Sequence, residues 1–195
     1  MRALISIAVL SLPAVVVAAP APVYRSQVSP ELEAVFQAGE NHRRAADRIR
    51  NRLHQEHPLT SKEKAHLRDQ YNAALRDAAE GYIRFLELAN PIAKLQSEMR
   101  DRYDRAAMGA MKALFDIGEP ARAVRLYDRL AHRPTDPKAR VSMMASILAC
   151  RMDLNQAEES RKLLQLLGKE IPKLDEPDRD RWEEWLRSVT AVMKK

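Results

Sequence analysis

The chain has 195 residues, with 33 Lys and Arg against 27 Asp and Glu for a net charge of +6, and 46% hydrophobic residues, enough for one domain with a real core. Its single cysteine, Cys150, excludes an internal disulfide, so packing must hold the fold. Five glycines, and no sustained alternation of apolar and polar residues beyond the first twenty, argue against a sheet and for an almost wholly helical chain.

The first residues read as a secretory signal peptide. Arg2 precedes an apolar run over residues 3–17, and small residues follow at Ala18, Ala19 and Ala21. The run is short of the roughly 20 apolar residues that span a bilayer, and Pro13 interrupts it. Residues 1–20 are therefore expected to be removed, a retained N-terminal anchor being the alternative. Residues 21–28 read as a flexible leader, and the mature chain as exported to the periplasm or secreted, with no transmembrane segment. Export argues against a nucleic-acid partner.

A long helical hairpin is expected over residues 29–90. Its first helix takes Ser29 as N-cap and Pro30 as first helical residue, carries an apolar stripe through Leu32, Phe36, Ala46, Ile49 and Leu53, and ends at Pro58. The second opens on Thr60 and Glu63, a capping box, and runs to about Ala89 on a stripe that includes Leu67, Leu75, Tyr82 and Phe85. Asn90 and Pro91 are then expected to start a third helix that Gly118 ends. Further helices are predicted over residues 119–133, 138–151, 155–171 and 178–193, the last with Trp182, Trp185, Leu186, Val189 and Met193 at helical spacing. The apolar stretch 148–150 makes a buried thiol the favoured reading of Cys150.

The segment from Gly118 to Leu130 is echoed from Met152 onward at a spacing of 34 residues, which points to stacked helical hairpins. Ala157 repeats Ala123, Leu148 repeats Leu114 and Leu164 repeats Leu130, while Met152 and Arg161 stand opposite Gly118 and Tyr127.

Other constellations carry less. His54, Glu56, His57 and His66 lack the spacing of zinc peptidase motifs, so no metal or other cofactor is expected. Arg43, Arg44, Arg48 and Arg52 fall largely along one helix face, which reads as a solvated surface interrupted by Asp47. Trp182 and Trp185 read as packing residues of the last helix. No Ser/His/Asp order, nucleophile elbow or paired-carboxylate context stands out, and no catalytic residue is assigned.

Gly118, Ala123 and Tyr127 match the small turn residue, the small helix-crossing residue and the aromatic of a tetratricopeptide repeat, with Ala107, Ala110, Met111 and Leu114 as packing positions of the preceding helix. Over residues 104–171 the chain thus resembles a tetratricopeptide-repeat protein with one well-matched and one degenerate unit. The resemblance implies antiparallel hairpins stacked as a short α-solenoid across residues 91–195, closed by the last helix and by the N-terminal hairpin. It also implies a non-enzymatic adaptor that binds a protein or peptide on a concave face lined by the first helix of each unit. Arg105, Met108, Lys112 and Phe115 would face the ligand from one unit, and Ser142, Ser146 and Cys150 from the next. Met108 and Phe115 fit a helix–helix core equally well. Leu59, Thr60 and Glu63 are also similar to the Leu-Thr-x-x-Gln signature of small envelope chaperones, with one copy instead of two and Glu in place of Gln, so a periplasmic holdase is the alternative.

Overall fold

A computed structural model describes residues 29–54, 59–92 and 94–193. The signal-peptide and leader readings, and His57 and Glu56, lie outside them. The described residues are all-helical: α1 (Pro30–Leu53), α2 (Ser61–Ala89), α3 (Ser97–Asp116), α4 (Pro120–Arg129), α5 (Pro137–Asp153), α6 (Ala157–Glu170), a single 3₁₀ turn (Ile171–Lys173) and α7 (Asp178–Met193).

Local sequence sets three of the helix starts. The Ser29 hydroxyl accepts from the Leu32 amide at 3.2 Å ahead of Pro30. Thr60 Oγ1 accepts from the Glu63 amide at 3.2 Å while Glu63 returns a carboxylate oxygen to the Thr60 amide at 2.8 Å, so the capping box is complete. Asp136 accepts from the Ala139 amide at 2.7 Å ahead of Pro137.

The third helix departs from expectation. Asn90 does not start α3 but finishes α2, its amide still donating to the Leu86 carbonyl at 2.8 Å. Its side-chain oxygen is occupied elsewhere, accepting from the Tyr103 hydroxyl and, at 3.3 Å, from the Ala131 amide. His132 completes the knot, with Nε2 placed 2.9 Å from the Ile92 carbonyl and its ring edge-on to Tyr103 at 5.2 Å. Two loops distant in sequence are thus tied around one buried tyrosine. Leu95, which falls within the expected span of the third helix, is buried from the loop before it. The fourth helix also stops short of Arg133, which folds back so that its guanidinium stacks 4.0 Å from the Tyr127 ring centre and donates to the Tyr127 carbonyl at 2.7 Å.

Two helix ends share one geometry. Gly118 has φ of 76°, with its amide donating to Phe115 and the Glu119 amide to Leu114, at 3.0 and 2.8 Å. Asn155 has φ of 56°, with its amide donating to Met152 and the Gln156 amide to Arg151, at 3.0 and 2.9 Å. Both are Schellman motifs, in which a left-handed residue lets the chain satisfy the last carbonyls. They stand 37 residues apart, at 118 and 155, not the 34 of the sequence echo. The reading that pairs Ala157 with Ala123 is corrected accordingly. Ala157 is exposed at the first position of α6, whereas the fourth positions of α4 and α6 hold the fully buried Ala123 and Ser160. Ser160 tolerates burial because its hydroxyl donates to the Gln156 carbonyl at 2.7 Å.

Each helix packs on the next along the chain, and α3 packs on α1 and α5 as well. α1 and α2 approach closely at Gly39 and Gly81, where a Cβ on Gly81 would lie 2.9 Å from the Gly39 backbone. One continuous core results, with Phe36, Tyr82, Phe85, Met99, Tyr103, Met111, Leu114, Ile147 and Leu148 among its fully buried side chains. None of α7 is fully buried. Its Trp182, Trp185, Leu186, Val189 and Met193 lie against the core as a half-buried layer, the two indoles edge-on at 5.3 Å.

Candidate functional site

Tyr82 of α2 places α1 and α3 relative to each other. Its ring fills the space above two glycines: a Cβ on Gly39 would lie 2.8 Å from the ring, and one on Gly109 only 2.6 Å. The phenol is fully buried and donates to Glu40 of α1 at 2.7 Å. Burial first, and the Glu40 carboxylate second, push its pKa well above the usual 10.0, so it stays a neutral donor.

Beside this tyrosine a groove of ≈ 240 Å³ runs between α1, α3 and α5. Arg43 of α1 stands on one side, Met108, Gly109, Met111 and Lys112 of α3 form its middle, and Ser142, Met143 and Ser146 of α5 close the other. Four of the seven predicted ligand-facing residues, Met108, Lys112, Ser142 and Ser146, therefore line one groove. The spacing explains why: α3 and α5 run side by side, and these side chains recur three to four residues apart on the facing stripes.

The other three do not line it. Arg105 lies further along α3 with its guanidinium 5.0 Å from the Phe36 ring centre, where it covers an aromatic of α1. Phe115 is 39% exposed, beyond the opposite end of the groove. Cys150 is fully buried, as its apolar neighbours suggested, and its assignment to a ligand face is corrected. Four residues past Ser146 turn the helix by about 40°, enough to carry the thiol from the groove rim into the core. Burial pushes that thiol up to about 11, so it is protonated and unreactive at neutral pH.

Within the groove the polar groups are partly committed. Lys112 Nζ lies 3.2 Å from Asp116, and Ser146 donates to the Ser142 carbonyl at 3.0 Å. Arg43 is half-exposed, with Nε 3.9 Å from Asp47 and its guanidinium also interacting with the Tyr82 hydroxyl, so it is partly engaged too. The floor is soft and apolar, because Met108, Met111 and Met143 contribute three polarisable side chains. Sequence reasoning missed Arg43, Met111 and Met143. Arg43 was grouped with the outer arginine stripe, and only the facing of α1 toward α3 separates it from Arg44 and Arg48.

A larger cleft of ≈ 400 Å³ lies between α4, α5 and α6, but its arginines are already engaged. Arg140 pairs with Glu170 at 3.0 Å, Arg151 with Asp128 at 2.9 Å, and Arg133 stacks on Tyr127. Among the described residues no group of three or more His, Cys, Asp or Glu side chains is placed to hold a metal ion, and no helix is long and apolar enough to cross a membrane. Compared with family models, with curated proteins and with solved structures, the chain finds no match.

Proposed function

We propose that this protein is a non-enzymatic interaction module of the cell envelope that binds a protein segment in the groove between α1, α3 and α5. Its hairpins are read as a short tetratricopeptide-like stack, with α7 as the cap and residues 1–20 as an export signal. The observation that carries the reading is the convergence of Met108, Lys112, Ser142 and Ser146 on one methionine-floored groove. Such a floor adapts to an apolar side chain of a bound segment, and Arg43 at the rim suits an acidic neighbour in that segment. The packing of α3 on both α1 and α5, and the two Schellman ends 37 residues apart at 118 and 155, support the stacked arrangement. The completed capping box gives Thr60 and Glu63 a structural employment, so those residues favour neither reading.

The test is capture of a partner from envelope extract, followed by titration of that purified partner against wild-type protein and a Met108→Glu, Ser146→Arg variant of unchanged helicity. A single stoichiometric partner whose affinity falls about tenfold or more with the variant is expected. Equal affinity for both forms would remove the groove from the interaction. Suppression of aggregation of unrelated unfolded clients by both forms would replace the adaptor with a holdase.

A further inference from the structure

The excess positive charge is unevenly spread. Residues 42–70, the distal half of the α1–α2 hairpin, hold eight Lys and Arg against four Asp and Glu, a net +4 out of the chain's +6. Between the end of α1 and the start of α2 lies a cleft of ≈ 390 Å³ lined by Arg50, Leu53, His54, Lys64, Arg68 and Tyr71. None of these described lining residues is acidic. The size falls within the range of small-ligand sites, roughly 300 to 1,000 Å³. It shares no residue with the α1–α3–α5 groove.

We propose that this cleft is an oxyanion site for a phosphate ester. The charges around it are placed against the interest of the folded protein. Lys64 and Arg68 sit in the first two turns of α2, at the positive end of the helix dipole, and are an i,i+4 pair of like sign. They face Arg50 and His54 across the cleft. Glu63, the carboxylate next to Lys64 in the chain, is held by the Thr60 amide at 2.8 Å and hydroxyl at 2.7 Å in the capping box. Among the described residues neither Lys64 nor Arg68 makes an ion pair, while Arg50 is neutralised by Asp47 at 2.9 Å.

Among the described residues two cations therefore remain without an ion-pair partner, the charge that a phosphate monoester of about −1.5 to −2 at neutral pH would match and a lone carboxylate would not. Arg68 offers a planar fork for two oxygens, and Tyr71 a hydroxyl donor. Leu53 and the Tyr71 ring form an apolar wall for the organic part of the ester. The α2 N-terminus itself is closed by its cap, so binding rests on the side chains and not on free amides.

Full-length mature protein is titrated calorimetrically with phenyl phosphate, at ionic strength matched with sodium chloride, and is floated with phosphatidic acid vesicles beside phosphatidylcholine vesicles. The comparison proteins are Lys64→Gln, Arg68→Gln and, as a control on the outer face of α1, Arg44→Gln, Arg48→Gln. Saturable 1:1 binding of phenyl phosphate is expected, weakened about tenfold or more by the first pair and unchanged by the second. The same first pair is expected to raise the thermal midpoint of the free protein, because it relieves like-charge repulsion; binding lost through misfolding would lower it. Binding to phosphatidic acid vesicles with the same variant dependence, but not to phenyl phosphate, makes a lipid headgroup the source of the ester. Binding equal in both variant pairs, or absent from both probes, overturns the proposal.

Discussion

Tyr82 shows how one side chain sets the spacing of three helices. It is accommodated because Gly39 and Gly109 lack the Cβ atoms that would lie 2.8 and 2.6 Å from its ring, and it is anchored by the Glu40 carboxylate. Gly109→Ala should cost about 1 to 3 kcal/mol in a urea titration, the usual penalty for overpacking a tight contact. Tyr82→Phe should cost about 1 to 2 kcal/mol, since it deletes a bond to a charged acceptor that stays partly solvated. Neutral stability of Gly109→Ala would mean that α3 is free to retreat. Cys150 yields a pH prediction of definite sign. Its folded value of about 11 lies above the ordinary 9.0, so the folded state binds the proton more tightly than the unfolded chain does. Stability is complete below pH 9 and falls as the pH rises toward 11, by on the order of 2 kcal/mol from this group. Tyr82 and Tyr103, whose values are raised from 10.0 chiefly by burial, extend the loss above pH 10. In Cys150→Ala the slope between pH 9 and 10 should flatten; an unchanged slope would assign it to other groups.

At the scale of elements, helix ends set the boundaries. Thr60→Ala should cost about 1 kcal/mol in chemical denaturation, because it removes one half of the capping box. Bonds from the Thr60 hydroxyl and amide hold the Glu63 pKa below 4.5, so its contribution is complete above pH 4.5 and is lost as the pH falls through the lowered folded value. Gly118→Ala should cost about 1 to 2 kcal/mol, since an alanine is strained at φ of 76°. Asn155→Gly should be neutral or stabilising, because that left-handed site at φ of 56° is already filled by the best-tolerated residue after glycine. Destabilisation by Asn155→Gly would mean that the asparagine side chain, not its backbone angle, holds the α5–α6 turn.

For the whole molecule the question is how the helical core is closed. The final helix has no fully buried residue, yet five large apolar side chains lie half-buried against the core. Deleting the chain from Asp178 should therefore cost roughly 4 to 8 kcal/mol, half the usual value of burying five such side chains. The truncated protein should bind a hydrophobic dye while its mean helicity per residue stays unchanged. A thermal midpoint equal to that of the full chain would show that α7 does not seal the core. The Tyr103 knot works at the same scale: Asn90, Ala131 and His132 are brought together from two loops, and this contact shapes the path from α2 to α3 and from α4 to α5.

Helicity, the starts at Ser29 and Thr60, the stop at Gly118 and the stripes of apolar residues were all legible in the amino-acid order, because caps and periodicity act within four or five residues. Half of the groove was legible too, since Met108 and Lys112, and Ser142 and Ser146, share helix faces whatever the helices pack against. The rest depended on distant contacts. Asn90 resembles an N-cap until Tyr103 and Ala131 claim its side chain, and the 34-residue echo pairs Ala157 with Ala123 until the turn at Asn155 moves the buried small residue to Ser160. Arg43 becomes a groove residue, and Arg50 and Arg68 face one cleft, only because α1 folds back along α2 and meets α3. A lone chain encodes which face of each helix is apolar; which faces meet, and which charges are thereby forced together, is decided by packing.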